Sequence, residues 1–223
     1  MISEESLSFL DDLKKNNNRE WFLENKSRYE SYKKDYHQLI EKFLKVMSEK
    51  DGTLKNLQVK DCAFRINRDI RFTKDKKPYK TNLAIWMSAG HKNTNLAGYY
   101  IHIERGESFI AGGVHWPDAA DLKKIRKEIA YFHEDLQKIV SNKKFKSEFK
   151  ALDRNDENSL KTAPKGFEKD HPAIEFLQLK CVTATQKLSD KVILDKNMVN
   201  TISEKLILLK PLNDYINRAL TSE

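Results

Sequence analysis

Twice along this chain the spacing of apolar residues changes, from a helical repeat to strict alternation and back, and the gaps within the alternating part are short. Ser3 to Lys15 sets Leu7, Leu10 and Leu13 on one helical stripe, with Glu4 and Glu5 at its positive end. Asn16 to Asn18 breaks that run. Asn17, with Glu20 three residues on, reads as the capped start of a second helix reaching about Lys50. Its face carries Phe22, Tyr29, Tyr32, Tyr36, Leu39, Phe43 and Met47, and Asp51 to Thr53 ends it. The period then becomes two. Val59 to Phe72, Leu83 to Ser88, Gly98 to Glu104 and Ser108 to His115 read as strands, and Glu104 to Glu107 as a hairpin turn. Parallel strands need crossovers of about a dozen residues or more, which these gaps do not supply. An antiparallel meander is the expectation.

Helical spacing returns after Asp118, a cap that follows Pro117, with Leu122, Ile125, Ile129, Phe132, Leu136 and Ile139 in the stripe. A short helix over Lys143 to Lys150, a polar loop over Ala151 to Pro172 and a helix starting near Pro172 follow. The end, Asn197 to Leu220, reads as helix interrupted at Pro211. Helices before and after a meander predict an α+β fold: an antiparallel β-meander sheet with N-terminal and C-terminal helices packed mainly on one face. No repeat and no long linker divides residues 1–223, so a single domain is expected.

Eleven Phe, eight Tyr and three Trp supply bulk for a core. Two cysteines, Cys62 and Cys181, argue against a disulfide framework. No apolar stretch approaches twenty residues, and no basic region precedes an apolar run near the start. A cytoplasmic protein without membrane contact is the default. The formal net charge of +8 favours acidic or phosphorylated partners without choosing among nucleotide, nucleic acid and acidic protein.

That charge is concentrated. Phe64 to Lys80 holds seven Lys or Arg against two Asp, which is +5 of the +8. Read as a strand, one row is Cys62, Phe64, Ile66, Arg68, Ile70 and Phe72, a core row with one Arg; the other is Arg65, Asn67, Asp69, Arg71 and Thr73. Arg68 is then either paired with Asp69 or Asp75, or a guanidinium fork for a phosphate or carboxylate. Arg65 and Arg71 would lie about 20 Å apart on an extended strand, too far to share one small anion unless the strand bends. Pro78 fixes a turn surrounded by Lys74, Lys76, Lys77 and Lys80, with Tyr79 either a stacking ring or packed inward. Tyr100, His102 and Glu104 share one side of their strand, and His115 ends the next after Gly112 and Gly113.

The run "FRINRDIRFTKDKKPYKT", Phe64 to Thr81, resembles the hallmark of a bacterial family of conserved proteins catalogued as domain of unknown function 2461. "GYYIHIERGESFIAGGVHWP" (Gly98 to Pro117), "APKGFEKDHP" (Ala163 to Pro172) and the early "NNNREWFLENKSRYE" are similar to the family as well. The resemblance spans nearly the whole chain and implies one domain. It implies no reaction, cofactor or catalytic residue.

Six histidines, His37, His91, His102, His115, His133 and His171, form no HExxH, and the cysteines form no CxxC; neither a metal site nor a cofactor is expected. No P-loop and no GxSxG is present. The residues point best to binding of an anionic ligand, phosphorylated for preference, by the basic segment 64–81. Arg65, Arg68, Arg71, Lys74, Lys77 and Lys80 supply charge, Asp69 and Asp75 orient them, and Tyr79, His102 and His115 are secondary candidates. Three alternatives stay open: an enzyme acting on a phosphorylated small molecule or nucleic acid, with Asp69 or His102 transferring protons, a nucleic-acid-binding protein without catalysis, and a scaffold whose ion pairs serve only folding. Oligomeric state is not legible.

Overall fold

The computed structural model of the chain describes residues 2–90 and 94–222, so His91 lies outside the described residues. Ser3 caps α1 (Glu4–Lys15) by accepting from Ser6 N–H, and Leu7, Phe9, Leu10 and Leu13 are buried as the stripe requires. The expected long second helix is two helices, α2 (Arg19–Glu24) and α3 (Lys26–Lys50). Asn18, not Asn17, caps α2, accepting from Trp21 N–H at 2.9 Å. The break falls at Asn25, whose Nδ2 donates to Trp21 O at 3.0 Å and so competes with the helix for that carbonyl. Tyr32, Tyr36, Leu39, Ile40, Phe43 and Met47 form the buried face of α3.

Val59–Cys62 is not strand but a helical turn, α4, begun where Asp61 accepts from Gln58 N–H at 2.9 Å. The sheet has four strands in the order β1 (Leu83–Ser88), β2 (Gly98–Ile103), β3 (Phe109–Val114) and β4 (Val182–Lys187). The next helices are α5 (Ala119–Ser141), capped by Asp118, α6 (Lys143–Phe149) and α7 (Ile174–Leu177). After β4 come α8 (Asp190–Ile193), α9 (Met198–Leu206) and α10 (Lys210–Thr221), with Pro211 in the first turn of α10, where its missing N–H costs nothing. The fold is α+β, an antiparallel sheet with N-terminal and C-terminal helices.

Two compact units divide the chain. The first comprises Met1–Met87, Tyr100–Ile110 and Lys187–Ser203; the second comprises Ser88–Tyr99, Ala111–Gln186 and Glu204–Glu223. In the first, Tyr36 joins three pieces. Its phenol donates to Ala84 O at 2.5 Å and accepts from Phe64 N–H at 2.9 Å, beside the antiparallel bridge Ala63–Ile85. Burial pushes that phenol well above its usual pKa. In the second, Thr183 and Thr185 of β4 each donate to Asp153 Oδ2 at 2.7 Å. Among the described residues, no helix is long and apolar enough to cross a membrane.

Candidate functional site

The segment that carries the charge is a narrow hairpin rather than a strand of the sheet. Arg68 N–H donates to Pro78 O at 2.9 Å and Lys80 N–H to Ile66 O at 2.8 Å, either side of the Asn67–Tyr79 bridge. That pattern turns Tyr79's own N–H and C=O outward. Asn17 takes both: its Nδ2 donates to Tyr79 O at 2.9 Å, and Tyr79 N–H donates to its Oδ1 at 3.0 Å. One carboxamide stands in for a neighbouring strand. The Tyr79 ring is buried and stacked on Phe22, centroids 4.0 Å apart, so this candidate is engaged by the core.

Side chains at the hairpin tip bond locally and replace a longer ladder. Asp69 Oδ1 accepts from Arg71 N–H at 3.2 Å, and Asp75 Oδ1 from Lys77 N–H at 3.1 Å. Arg71 is closed on Asp69 through Nε and Nη2, at 3.0 and 2.7 Å. Arg68 donates from Nη1 to Asp75 Oδ2 at 2.7 Å and to Lys77 O at 3.1 Å. Each guanidinium holds its carboxyl below the usual range, Arg71 acting on Asp69 and Arg68 on Asp75. Lys76 Nζ donates to Ile70 O at 2.9 Å. The alternation read from the sequence survives from Phe64 to Arg71, where the first row is half-buried and the second exposed. It fails at Phe72. Expected in the core, that ring is 92% exposed, with the Arg71 guanidinium 5.5 Å from its centroid.

Among the described residues, Arg65, Lys74, Lys77 and Lys80 close no ion pair through their side chains. Lys80 differs from the other three. It is half-buried, with Nζ 4.9 Å from the centroid of Phe64. Burial first, and then the charge of Arg65, lower its pKa. The hairpin return thus brings Lys80 within reach of the Arg65 charge.

Phe64 leads from this pair to β2. Its ring meets Tyr100 edge-on at 6.4 Å. Tyr100, His102 and Glu104 lie along one side of that strand, and His102 is stacked on Phe109 at 4.7 Å. His102 Nε2 lies 3.3 Å from Glu104 Oε2, while Nδ1 lies 3.3 Å from Asn82 Nδ2 and 3.5 Å from Tyr100 Oη. Lys14 Nζ holds the other Glu104 oxygen at 2.7 Å. Burial lowers the His102 pKa against the pull of Glu104, and burial raises that of Tyr100. His115 belongs to the second unit, where it is exposed and set edge-on to Trp116 at 6.2 Å.

Asn17, Asn82 and Lys14 were not legible as site residues. "NNN" reads as a helix breaker, and nothing local couples Asn17 to a residue sixty-two positions on. Among the described residues, no group of three or more His, Cys, Asp or Glu could hold a metal ion.

The family described as Conserved hypothetical protein (DUF2461) matches residues 5–215. No match was found among curated proteins or among solved structures.

Proposed function

The chain belongs to this family, and from that premise we propose that it binds a small anionic ligand, phosphorylated compounds foremost, at Lys80 and Arg65 beside the Phe64 ring. One observation carries the reading: a half-buried ammonium group without a carboxylate partner, next to a second cation. Water no longer fully solvates such a group, and a like charge raises its cost further. The Phe64 face offsets only part of this, about 1 kcal/mol at a partly exposed site. A bound anion would offset the rest. Lys74 and Lys77 add to the attracting field from the tip. Arg68 and Arg71, paired with Asp75 and Asp69, brace the hairpin and contribute little net charge of their own.

Inorganic phosphate titrated into the protein, followed by calorimetry, tests the reading. Lys80→Met should weaken binding about tenfold or more, since a charge-assisted bond contributes roughly 1.5–3 kcal/mol. Arg65→Met should weaken it several-fold. Lys146→Met, an exposed cation in the other unit, should leave it unchanged. A folded Lys80→Met protein that binds phosphate like wild type would sink the proposal.

Phe72 supports a second reading. An exposed ring amid Arg71, Lys74, Lys76 and Lys77 suits base stacking with phosphate contacts on a single strand. Reversing the charge of Lys76 and Lys77 together should then reduce the salt slope of oligonucleotide binding by about 1.4, at about 0.7 per lost phosphate contact on a single strand. An unchanged slope removes that alternative.

A further inference from the structure

His102 is held from one side by a group that fixes its tautomer. Glu104 is paired with Lys14 through Oε1, so it is a carboxylate and can only accept. The ring nitrogen facing Glu104 Oε2, Nε2, must therefore carry the hydrogen. The other side agrees. Asn82 presents Nδ2, a donor, to Nδ1, and the Tyr100 phenol can donate there as well. Both directions assign the lone pair to Nδ1. That lone pair is poorly used, because its two contacts are long, 3.3 and 3.5 Å. Acid–base groups commonly have such loose partners before a ligand tightens the site. A chain of ring contacts links it to the cations: Tyr100, at Nδ1, meets Phe64 at 6.4 Å, and the Phe64 centroid lies 4.9 Å from Lys80 Nζ.

We propose that His102 is a general base that takes a proton from a hydroxyl group of the anionic ligand, with Glu104 as the residue that positions it. This rests on the anion reading above, because the ligand is held by Lys80 and Arg65. In the step, the ligand's O–H bond breaks and an N–H bond forms at Nδ1. The electron pair stays on the ligand oxygen, which becomes the nucleophile, and Glu104 faces the new imidazolium. Nothing is oxidised or reduced. The substrate class is a phosphorylated or otherwise anionic small molecule with a free hydroxyl.

The test uses the full chain labelled with ¹⁵N in histidine, with inorganic phosphate as the probe, since its monoanion and dianion carry a P–O–H group. Long-range ¹H–¹⁵N correlation should show His102 as a single Nε2–H tautomer in the free protein. Saturating phosphate should move its Nδ1 resonance several-fold more than that of exposed His115. In Glu104→Gln the Nδ1 response at saturating phosphate should fall, because a carboxamide keeps an acceptor for Nε2–H but no longer opposes the charge of an imidazolium. A purely structural histidine would share the tautomer but show no Nδ1 response to phosphate beyond that of His115. Asn82→Ala, which leaves the Glu104 contact in place, should enlarge the response, so the proposal does not hang on one variant folding. Phosphate binding seen by calorimetry with a silent His102, or an Nδ1–H tautomer, overturns the base and leaves the anion site standing. No phosphate binding at all overturns both.

Discussion

Three consecutive asparagines, Asn16 to Asn18, offer a graded test of how the hairpin is anchored, because the structure gives each a different task. Asn17 supplies two bonds to the buried Tyr79 backbone, at 2.9 and 3.0 Å. In Asn17→Ala both bonds go, and a donor and an acceptor are left facing a methyl group. Two net bonds at about 1 kcal/mol each, plus roughly 1 kcal/mol for the orphaned pair, give a loss of about 3 kcal/mol. Asn18→Ala removes an N-cap and should cost about 1 kcal/mol. Asn16 donates to Asp12 O at an exposed helix end, and Asn16→Ala should cost no more than about 0.5 kcal/mol. Urea unfolding reads all three. With a slope near 3 kcal/mol per molar, the Asn17→Ala midpoint should fall by about 1 M, and an unchanged slope keeps the comparison valid. Asn17→Asp should not rescue, since it sets an anionic oxygen against Tyr79 O. If Asn17→Ala costs no more than Asn18→Ala, water satisfies Tyr79 and the carboxamide does not anchor the hairpin.

Gly113 has φ +108°, and a β-carbon there would lie 2.0 Å from Val182 O, in backbone that cannot yield cheaply. Gly113→Ala should cost more than about 4 kcal/mol and lower Tm by about 10 °C, and a Tm within about 2 °C of wild type would refute the clash. His102 gives a pH dependence of defined sign. Its folded pKa lies below 6.5, so as pH falls through the unfolded value towards the folded one, the unfolded chain takes up a proton that the folded chain refuses. Stability should drop in that window, and His102→Gln should flatten the drop; a slope unchanged by the substitution would show that another group titrates there.

How much of this could be read in advance follows from the range of the interactions. The three meander strands and both flanking helical regions were legible because alternation and helical stripes are local signals, and burial enforces them residue by residue: Tyr99, Ile101 and Ile103 are buried, while Tyr100 and His102 are only half-buried. β4 was missed. Its Thr183 and Thr185 lie past the helix expected from Pro172, and nothing local announces that Asp153, thirty positions before the first of them, accepts from both hydroxyls. The strand expected over Val59 to Phe72 failed for a related reason. Period two describes which side each residue faces, and it holds from Phe64 to Arg71; it says nothing about which backbone will be the partner. Here the partner changes, from β1 at Ala63 to the hairpin's own return arm at Asn67.

That change of partner decides which cations are available. Along a straight strand Arg65 and Arg71 would have been separate contacts, and the return arm would have been a solvated turn. The hairpin instead separates the cations that local groups hold from those without an ion pair. At the tip Arg68, Arg71 and Lys76 are held by Asp75, Asp69 and the Ile70 carbonyl, groups no more than nine residues away. At the base Lys80 comes back beside Arg65, with an aromatic ring and no carboxylate. Folding has tied up the charges that brace the loop and, among the described residues, left Arg65 and Lys80 at its base, with Lys74 and Lys77 at its tip, without a carboxylate. A scaffold selected for stability alone would gain from a glutamate near these cations. Thr81→Glu, at the position that the Asn67–Tyr79 register sets opposite Arg65, should therefore stabilise the free protein and weaken phosphate binding together. A variant that gains stability with phosphate affinity intact would separate this charge pair from function.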